Sequence, residues 1–374
     1  MVASHISRVG SLAGGAGSLA RVNETPEKEP ARVLTGVTGS VAHITLNRPR
    51  AINALDLGMV QSITTALDVF ANRAEIRTIL LSGTGERGLC AGGDVRGLHA
   101  QIVAGQARAT TDFFRAEYAM NVRIAEYGIP VVALADGVTM GGGIGLAGHA
   151  ALRVVTERSA LAMPETRIGF TPDVGGTWLL GRAPGRLGEY LGLTGASMDA
   201  SDAMYAGFAD IVTNSDRLDD LREALEQGRS VADVAVLFQE TPEPSRLQTS
   251  REWIDAAFSA DTVAEIVHRL RAAAQPEANM TAEVLESLSP TALTVTLAAV
   301  RRARELPNLR TVLAQEYGLV SWFVNTQPDL AEGIRAQLVD KDRSPRWQPA
   351  TLAELAPDVA EHALGYRPPV PLWE

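Results

Sequence analysis

Two glycine-rich turns, each lying between a buried strand pattern and a helix pattern, constrain the fold of this chain most strongly. The first is Cys90-Ala91-Gly92-Gly93-Asp94, and the second runs from Gly137 to Gly145. Glycine lets another group approach the backbone closely, and the first N–H groups of a helix are free to bind an anion. Two such turns predict a pair of backbone donors facing one carbonyl oxygen, which stabilises the negative charge of acyl transfer or enolate formation.

The segments around these turns alternate between strand and helix patterns from residue 41 to about 210, which predicts the α/β fold class. Val41–Leu46 alternates apolar with small or polar residues, and Thr78–Leu81 and Val131–Leu134 are short buried runs. One helix begins after Asp56, and another spans Thr111–Ala125. In such folds the functional groups collect in the loops where strands end and helices begin.

The chain divides into three predicted regions. Residues 1–31 are rich in serine, glycine and alanine and are predicted to form a flexible N-terminal tail. Residues 33–230 hold the alternating core, whereas residues 231–374 show only helical patterns and are predicted to pack on that core. The clearest helices of this last region are predicted at Arg251–Phe258, Thr262–Ala273, Pro290–Arg304 and Leu309–Val324.

The composition argues against several classes of function. The 374 residues are 46% hydrophobic and carry a formal net charge of -10. The chain can therefore bury a large core, but it lacks the basic surface that binds nucleic acid or a membrane. No apolar run approaches the roughly 20 residues of a membrane span. Cys90 is the only cysteine, which precludes an intrachain disulfide, and neither a metal nor a separate cofactor is expected.

The expected location is the bacterial cytoplasm, with the mitochondrial matrix as the alternative. The only lysines are Lys28 and Lys341, against many arginines, which is a usage typical of GC-rich bacterial genomes. The first 31 residues carry Arg8 and Arg21 and no acid before Glu24, and this pattern also resembles a transit peptide.

Three carboxylates are candidates for acid–base chemistry. Glu165 follows a proline, and Asp173 lies eight residues later beside another pair of glycines. Glu117 is four residues after Phe113 and three after Phe114, so a helix would place it on an apolar face. In an apolar pocket such groups have raised pKa values and can orient water or shuttle a proton. The alternative roles are structural, with Glu165 in the first turn of a helix and Asp173 as a helix cap.

Two other chemistries find weaker support. His149 and Cys90 lie near the glycine turns, but no Gly-x-Ser-x-Gly motif or acid partner accompanies them, so both are interpreted as packing residues. The pattern Gly143-x-Gly145-x-x-Gly148 matches a dinucleotide-binding fingerprint, with Glu165 about twenty residues later. That fingerprint normally opens the first strand–helix unit of its domain, whereas two units precede it here. A dehydrogenase is therefore the less favoured alternative.

An ordered set of motifs resembles the enoyl-CoA hydratase/isomerase, or crotonase, superfamily. It comprises Ile44-Thr45-Leu46-Asn47-Arg48-Pro49, Asn53-Ala54-Leu55, Ala91-Gly92-Gly93-Asp94 and the triple glycine at 141–143. Further motifs are similar to the 3-hydroxyisobutyryl-CoA hydrolase subfamily, namely Phe114–Tyr118, Ala162–Thr166, Pro172–Gly176, Asp329–Ala336 and Leu338–Trp347. The resemblance covers roughly residues 33–352. It implies a crotonase-type core of ββα repeats, followed by an α-helical C-terminal region that packs on it.

The resemblance also implies which residues form the site. The backbone N–H groups of Gly93 and Gly142 would form an oxyanion hole, and Glu165 and Asp173 would be catalytic. The substrate would be bound by Glu117, Gly142, Glu165 and Asp173. Coenzyme A, as part of the substrate rather than a cofactor, would lie against Asn53, Ala54, Leu55, Ala91, Asp94 and Val95.

Gly145 bears on the type of reaction. Hydratases of this superfamily use two glutamates; one corresponds to Glu165 and the other to the position of Gly145. Water addition is therefore disfavoured. The resemblance implies an enzyme that hydrolyses a short-chain 3-hydroxyacyl-CoA thioester, with 3-hydroxyisobutyryl-CoA, an intermediate of valine degradation, as the expected substrate. The alternatives are an enoyl-CoA hydratase or isomerase and a non-catalytic acyl-CoA-binding homologue. Assembly into a homo-oligomer stays open.

Overall fold

A mostly parallel sheet forms the centre of the computed structural model, which describes residues 30–373. The predicted tail, apart from its last two residues, lies outside the described residues. The sheet has the order β1-β2-β3-β4-β6-β8, in which only β1 and β2 pair antiparallel. Its strands are β1 (Val33–Thr38), β2 (Val41–Leu46), β3 (Thr78–Gly83), β4 (Val131–Leu134), β6 (Leu152–Val155) and β8 (Ile211–Val212).

Helices cover both faces of this sheet, because its strands are apolar on both sides. Side chains alternate across a strand. In β3, for example, Ile79 and Leu81 join the large core, whereas Leu80 points to the opposite face. The second face is covered by α8 (Leu218–Glu226) and α9 (Val231–Phe238). Parallel strands buried on both faces are characteristic of α/β folds, so the predicted fold class is confirmed.

A second, two-stranded sheet departs from the sequence interpretation. The segment after Gly137 was expected to be a turn leading into a helix, but Val138–Met140 forms β5 and pairs in parallel with β7 (Ala160–Ala162). The local pattern could not reveal this strand, since its partner lies some twenty residues further along the chain. The strand matters for the site because it also bridges to Cys90 through Thr139.

The helices of the alternating half follow the predicted pattern. Asp56 caps α1 by accepting a hydrogen bond from the N–H of Met59, and Asp94 caps α2 in the same way through Gly97. The helices are α1 (Leu57–Ala71), α2 (Val95–Val103), α3 (Ala107–Ala125), α4 (Gly142–Ala147), α5 (Gly176–Arg182), α6 (Leu187–Thr194) and α7 (Ala200–Ala206).

Most of the remainder of the described chain is helical, and it contributes to the main core. Buried apolar side chains form one cluster that extends from Ala42 in β2 to Ala363 in the last helix. The four predicted helices of this region are confirmed, and none of their ends differs by more than five residues from the prediction. The helices are α10 (Arg246–Phe258), α11 (Val263–Ala272), α12 (Pro276–Glu286), α13 (Pro290–Ala303), α14 (Leu309–Thr326), α15 (Asp329–Ile334) and α16 (Val359–Gly365). The boundary predicted at residue 230, between the core and the helical region, stays a prediction.

None of the helices within residues 30–373 combines the length and apolar character needed to cross a bilayer.

Asn53 fixes the loop that supports the first glycine turn. Its side chain is fully buried, and its amide group lies 3.1–3.3 Å from the carbonyl oxygens of Thr84, Gly88 and Leu89. Its Oδ1 accepts the N–H of Arg48 at 2.8 Å. The backbone of Asn53 has φ 54°, a left-handed conformation that asparagine tolerates better than most residues. Asn53 is thus held by the protein on all sides.

We expect Asn53→Ala to lower the free energy of unfolding by about 2–4 kcal/mol, because it leaves buried backbone groups without partners. Urea unfolding monitored by circular dichroism would measure this loss. Asn72→Ala, at an exposed helix end, is the matched control and should change stability by less than about 0.5 kcal/mol. Equal stability of the two variants would contradict the supporting role of Asn53.

Candidate active site

The predicted site residues converge on one apolar cavity of about 270 Å³. Glu117, Glu165 and Asp173 all line it, as do Gly93 and Gly142. Most of the remaining lining is apolar, contributed by Leu98, Ile102, Phe113, Phe114, Phe170, Val174, Leu330, Ile334 and Leu338. An apolar cavity of this kind has a low local dielectric constant, which strengthens any electrostatic interaction made inside it.

The two glycine turns lie side by side because backbone hydrogen bonds join them. Cys90 donates to the carbonyl of Val138 at 3.2 Å, and Met140 donates to the carbonyl of Cys90 at 3.0 Å. On its other side the first turn pairs with Leu55, whose N–H donates to Gly92 at 2.8 Å. The first turn is therefore held between two neighbouring segments.

The N–H groups of Gly93 and Gly142 are left unused by this pairing. Neither N–H group has a hydrogen-bond acceptor within residues 30–373. Gly142 is the first residue of α4, where the helix itself provides no acceptor, and Gly93 lies outside any helix. Both residues line the cavity. The structure thus brings the two glycines predicted as backbone donors to one cavity. Joint donation of their N–H groups to one oxygen stays a prediction.

The missing side chains of the second turn make room for the carboxylates. A Cβ atom on Gly142 would lie 2.5 Å from Oε1 of Glu117, and one on Gly141 would lie 2.9 Å from Oε1 of Glu165. Gly141 also has φ 48° and ψ -119°, a conformation open only to glycine. A side chain at either position would therefore displace the carboxylate group that lies beside it.

Glu117 and Glu165 are buried with few partners. Glu117 lies on the inner face of α3 and is 2% exposed, so the helical position predicted for it is confirmed. Glu165 is the first residue of the short 3-10 helix Glu165–Ile168, yet its side chain is only 7% exposed. Oε1 of Glu117 and Oε2 of Glu165 have no hydrogen-bond partner within the described part of the chain. Burial, followed by the charge of Asp173, raises the pKa of both groups well above the ordinary value.

Asp173 is buried but better supported. Its Oδ2 accepts a hydrogen bond of 2.7 Å from the hydroxyl of Tyr118, and it is not a helix cap, because α5 begins after Gly175. Burial raises the pKa of Asp173 to about 7, although the Tyr118 hydrogen bond acts in the opposite direction. A carboxyl group that titrates near neutral pH can both accept and release a proton during a reaction.

The six positions expected to contact coenzyme A are not grouped together. Ala91 and Val95 line the cavity, whereas Leu55 and Asp94 line a shallower neighbouring groove. Asp94 is also the cap of α2 and forms a 2.9 Å ion pair with Arg48. Ala54 is half-buried and offers its carbonyl to Arg48, and the Asn53 amide is fully used by the backbone. Contacts of these residues with coenzyme A stay a prediction.

A family model for enoyl-CoA hydratase/isomerase matches residues 41–364, which include every group described above. The chain belongs to the enoyl-CoA hydratase/isomerase family. The resemblance inferred from the sequence motifs is therefore confirmed.

Several curated proteins are similar to this chain over most of its length. It is 40% identical over 336 residues to "3-hydroxyisobutyryl-CoA hydrolase, mitochondrial" of Danio rerio, which covers 87% of each chain. The protein of the same name from Rattus norvegicus is 38% identical over 359 residues, covering 93% of this chain and 92% of that protein.

Solved structures of the family have the same fold. A crystal structure described as a carnitinyl-CoA dehydratase from Mycobacterium thermoresistibile has a TM-score of 0.87 at 43% identity and covers 92% of this chain and 98% of that one. One described as an enoyl-CoA hydratase from Rhodobacter sphaeroides 2.4.1 has a TM-score of 0.85 at 42% identity, with 91% and 98% covered. The crotonase-type core with its helical C-terminal region is thereby confirmed.

The glycines of the dinucleotide fingerprint have a packing role in this family member. A Cβ atom on Gly143 would lie 2.4 Å from the carbonyl oxygen of Cys90, and one on Gly148 would lie 2.6 Å from Leu179. These glycines let α4 pack closely against its neighbours, and the space beside them is occupied by protein atoms rather than open to a pyrophosphate.

Burial also raises the pKa of the Cys90 thiol to about 12, which disfavours the nucleophilic thiolate at neutral pH.

Sequence reasoning missed the cover of the cavity, which comes from the C-terminal region. Leu330 and Ile334 of α15 line the cavity together with Leu338 of the following π-helical turn, Arg335–Val339. Arg335 anchors this cover through ion pairs with Glu332, Asp340 and Asp342, and Arg96 of α2 donates to the carbonyl of Leu338 at 3.0 Å. No local pattern indicates that this segment reaches the glycine turns, which lie at least 185 residues earlier in the chain.

Glu316 on α14 was also missed. It is fully buried and accepts hydrogen bonds from the loop that carries Asp173. The signal that found Glu117 was present here too, since Glu316 lies on one helical face with Val312, Leu313 and Val320.

The raised pKa of Asp173 predicts a pH-dependent gain in stability on neutralising it. The folded protein keeps a proton that the unfolded chain releases near pH 3.8, so the charge of Asp173 reduces stability progressively from about pH 4 to about pH 7. Asp173→Asn keeps a partner for Tyr118 but removes this charge. Its melting temperature should therefore exceed that of the wild type by a margin that grows from pH 4.5 to pH 7.5.

Differential scanning fluorimetry at pH 4.5, 6.0 and 7.5 tests this margin. Asp220→Asn, which changes a solvent-facing side chain of α8, is the control and should show no such trend. A difference in melting temperature that stays constant or shrinks as the pH rises would contradict the raised pKa of Asp173.

Proposed function

We propose that this chain hydrolyses the thioester of a short-chain 3-hydroxyacyl-CoA, with 3-hydroxyisobutyryl-CoA as substrate and 3-hydroxyisobutyrate and coenzyme A as products. The observation that carries the proposal is the arrangement of three buried carboxyl groups around two unused backbone N–H groups in one apolar cavity. Curated relatives that cover most of the chain bear the name of this activity.

In the proposed mechanism the thioester oxygen accepts hydrogen bonds from Gly93 and Gly142. These donors stabilise the charge that develops on the oxygen when the carbonyl carbon is attacked. In its ionised form Glu165 acts by one of two routes. It takes a proton from a water molecule that adds to the carbonyl carbon, or its carboxylate attacks that carbon and forms a mixed anhydride, which water then hydrolyses to release the acid and restore the carboxylate; in both routes the C–S bond breaks and the thiolate leaves. The coenzyme A thiolate, with a pKa of roughly 8–9 by analogy with cysteine, leaves without a strong general acid.

The other two carboxyl groups are assigned to the acyl group. Asp173 either orients the β-hydroxyl through a hydrogen bond or exchanges a proton with it. Its pKa of about 7 is compatible with both roles. Glu117 supports the same hydroxyl or a water molecule through its unpaired Oε1. The apolar side chains around them accommodate the short carbon chain.

A hydratase is the second candidate, favoured by the names of the two solved structures described above. The surroundings of Gly145 weigh against it. A Cβ atom at this position would lie 2.8 Å from both the amide nitrogen of Asn121 and Cβ of Val174. A glutamate at this position, which the family resemblance implies for hydratases, has no space here.

Thiol release separates the two candidates. Purified protein would be incubated with 3-hydroxyisobutyryl-, 3-hydroxypropionyl- and crotonyl-CoA, while free thiol and double-bond absorbance are followed in parallel. We expect free thiol from the two hydroxyacyl substrates and no loss of the crotonyl double bond. Loss of the double bond without free thiol would establish the hydratase instead.

Glu165→Gln is expected to lower kcat for thiol release by about 10²–10⁴-fold, because the amide can act neither as a base nor as a nucleophile. Asp173→Asn should lower kcat/KM by about 10- to 100-fold for hydroxyacyl substrates. It should have a smaller effect on isobutyryl-CoA, which lacks the hydroxyl. Full activity of Asp173→Asn toward hydroxyacyl-CoA would remove the role given to this residue.

Location and assembly belong to the proposal as well. We retain the bacterial cytoplasm as the expected location and the mitochondrial matrix as the alternative, and the curated relatives named above are mitochondrial by name. Binding of an acyl-CoA is the interaction on which the activity depends. Assembly into a homo-oligomer stays open.

A further inference from the structure

Glu316 is a buried carboxyl group that the proposed mechanism does not use. It lies on α14, is fully buried, and does not line the cavity. Its Oε2 accepts the N–H of Gly175 at 2.7 Å, and its Oε1 accepts both the N–H and the hydroxyl of Thr177, at 2.9 and 2.5 Å. Burying a carboxyl group is costly, so three such hydrogen bonds indicate a purpose beyond packing.

The loop held by Glu316 starts at Asp173 and is conformationally unfavourable. Val174 has φ 54°, which costs a β-branched residue of order 1–3 kcal/mol, and Gly175 follows with φ 78°. Such a conformation persists only where the surroundings enforce it. Glu316 enforces it from one side, and the ring of His149 lies 2.8 Å from the carbonyl of Val174 on another.

The same helix also supports the side chain that contacts Asp173. Tyr317, the neighbour of Glu316, packs edge-on against Tyr118 with ring centroids 6.3 Å apart. Tyr118 in turn donates the 2.7 Å hydrogen bond to Asp173. Helix α14 therefore acts on Asp173 twice, through its backbone loop and through its hydrogen-bond donor.

We propose that Glu316 is a positioning residue for Asp173: it holds the loop 173–177 in the conformation that directs the Asp173 carboxyl group to Tyr118 and into the cavity. The proposal rests on the proposed function, in which Asp173 meets the acyl hydroxyl. Burial raises the pKa of Glu316 to about 8, and the charge of Asp173 acts in the same direction, whereas the hydrogen bonds from Thr177 and Gly175 lower it.

Glu316→Ala removes the acceptor, whereas Glu316→Gln keeps one oxygen for Thr177 but sets an amide against the N–H of Gly175. We expect kcat for 3-hydroxyisobutyryl-CoA to fall by about 10-fold or more in Glu316→Ala and by less in Glu316→Gln, with KM changed less than about 3-fold. Because Glu316 acts through Asp173, adding either change to Asp173→Asn should cause no further loss.

Glu189→Gln is the matched control. Glu189 is an equally buried carboxylate, held by Arg186 and Arg304 away from the cavity. Its replacement should lower the melting temperature while kcat stays near that of the wild type. Wild-type kcat in Glu316→Ala would overturn the proposal, since it indicates a role in stability alone. The same fold-loss with and without Asp173→Asn would also overturn it, since it indicates an effect that does not act through Asp173.

Two further measurements keep the test decisive. If Glu316→Ala does not fold, Glu316→Gln and Thr177→Val, which removes only the hydroxyl donor, carry the same comparison. Crystal structures of wild type and Glu316→Gln give a result that does not depend on activity. We expect the Asp173–Tyr118 hydrogen bond to lengthen or break in the variant, and an unchanged loop would refute positioning even if the wild type proves not to be a hydrolase.

Discussion

The backbone pairing of the first glycine turn is the constraint on which the rest of the site depends. Residues 90–94 are held between Leu55 on one side and β5 on the other, entirely by main-chain hydrogen bonds. This pairing leaves the N–H groups of Gly93 and Gly142 unused beside one cavity. Donors fixed by backbone pairing need no reorganisation when charge develops on a bound oxygen, which is the condition for effective electrostatic stabilisation.

Around these donors the protein keeps three carboxyl groups away from water, at a cost to its own stability. Burial raises the pKa of Glu117, Glu165 and Asp173, so the folded state holds protons that the unfolded chain would release. The unpaired oxygens of the two glutamates are the places where a substrate hydroxyl or water would find an acceptor. Stability given up at a site in this way is typical of groups selected for chemistry rather than for packing.

The C-terminal helices complete the site rather than merely covering it. Residues of α15 and its π-helical turn close the cavity, and Arg335 fixes that cover with three ion pairs. Helix α14 supports the unfavourable Val174–Gly175 backbone through Glu316 and supports Tyr118 through Tyr317. The walls of the cavity and the surroundings of Asp173 thus include residues remote in sequence from the glycine turns.

The sequence by itself determined what local pattern and residue type control. Apolar periodicity predicted most helices and the longer strands, glycine clusters predicted the two donor turns, and a carboxylate on an apolar face predicted the burial of Glu117. Tertiary structure decided everything that depends on long-range pairing. Strand β5 exists because β7 and Cys90 pair with it, the Gly145 position is closed by Asn121 and Val174, and the cavity is finished by α15. A local pattern indicates which face of a helix or strand is apolar, but it does not indicate which segment packs against that face. The strand, the closed position and the cavity cover named above all depend on segments distant in sequence.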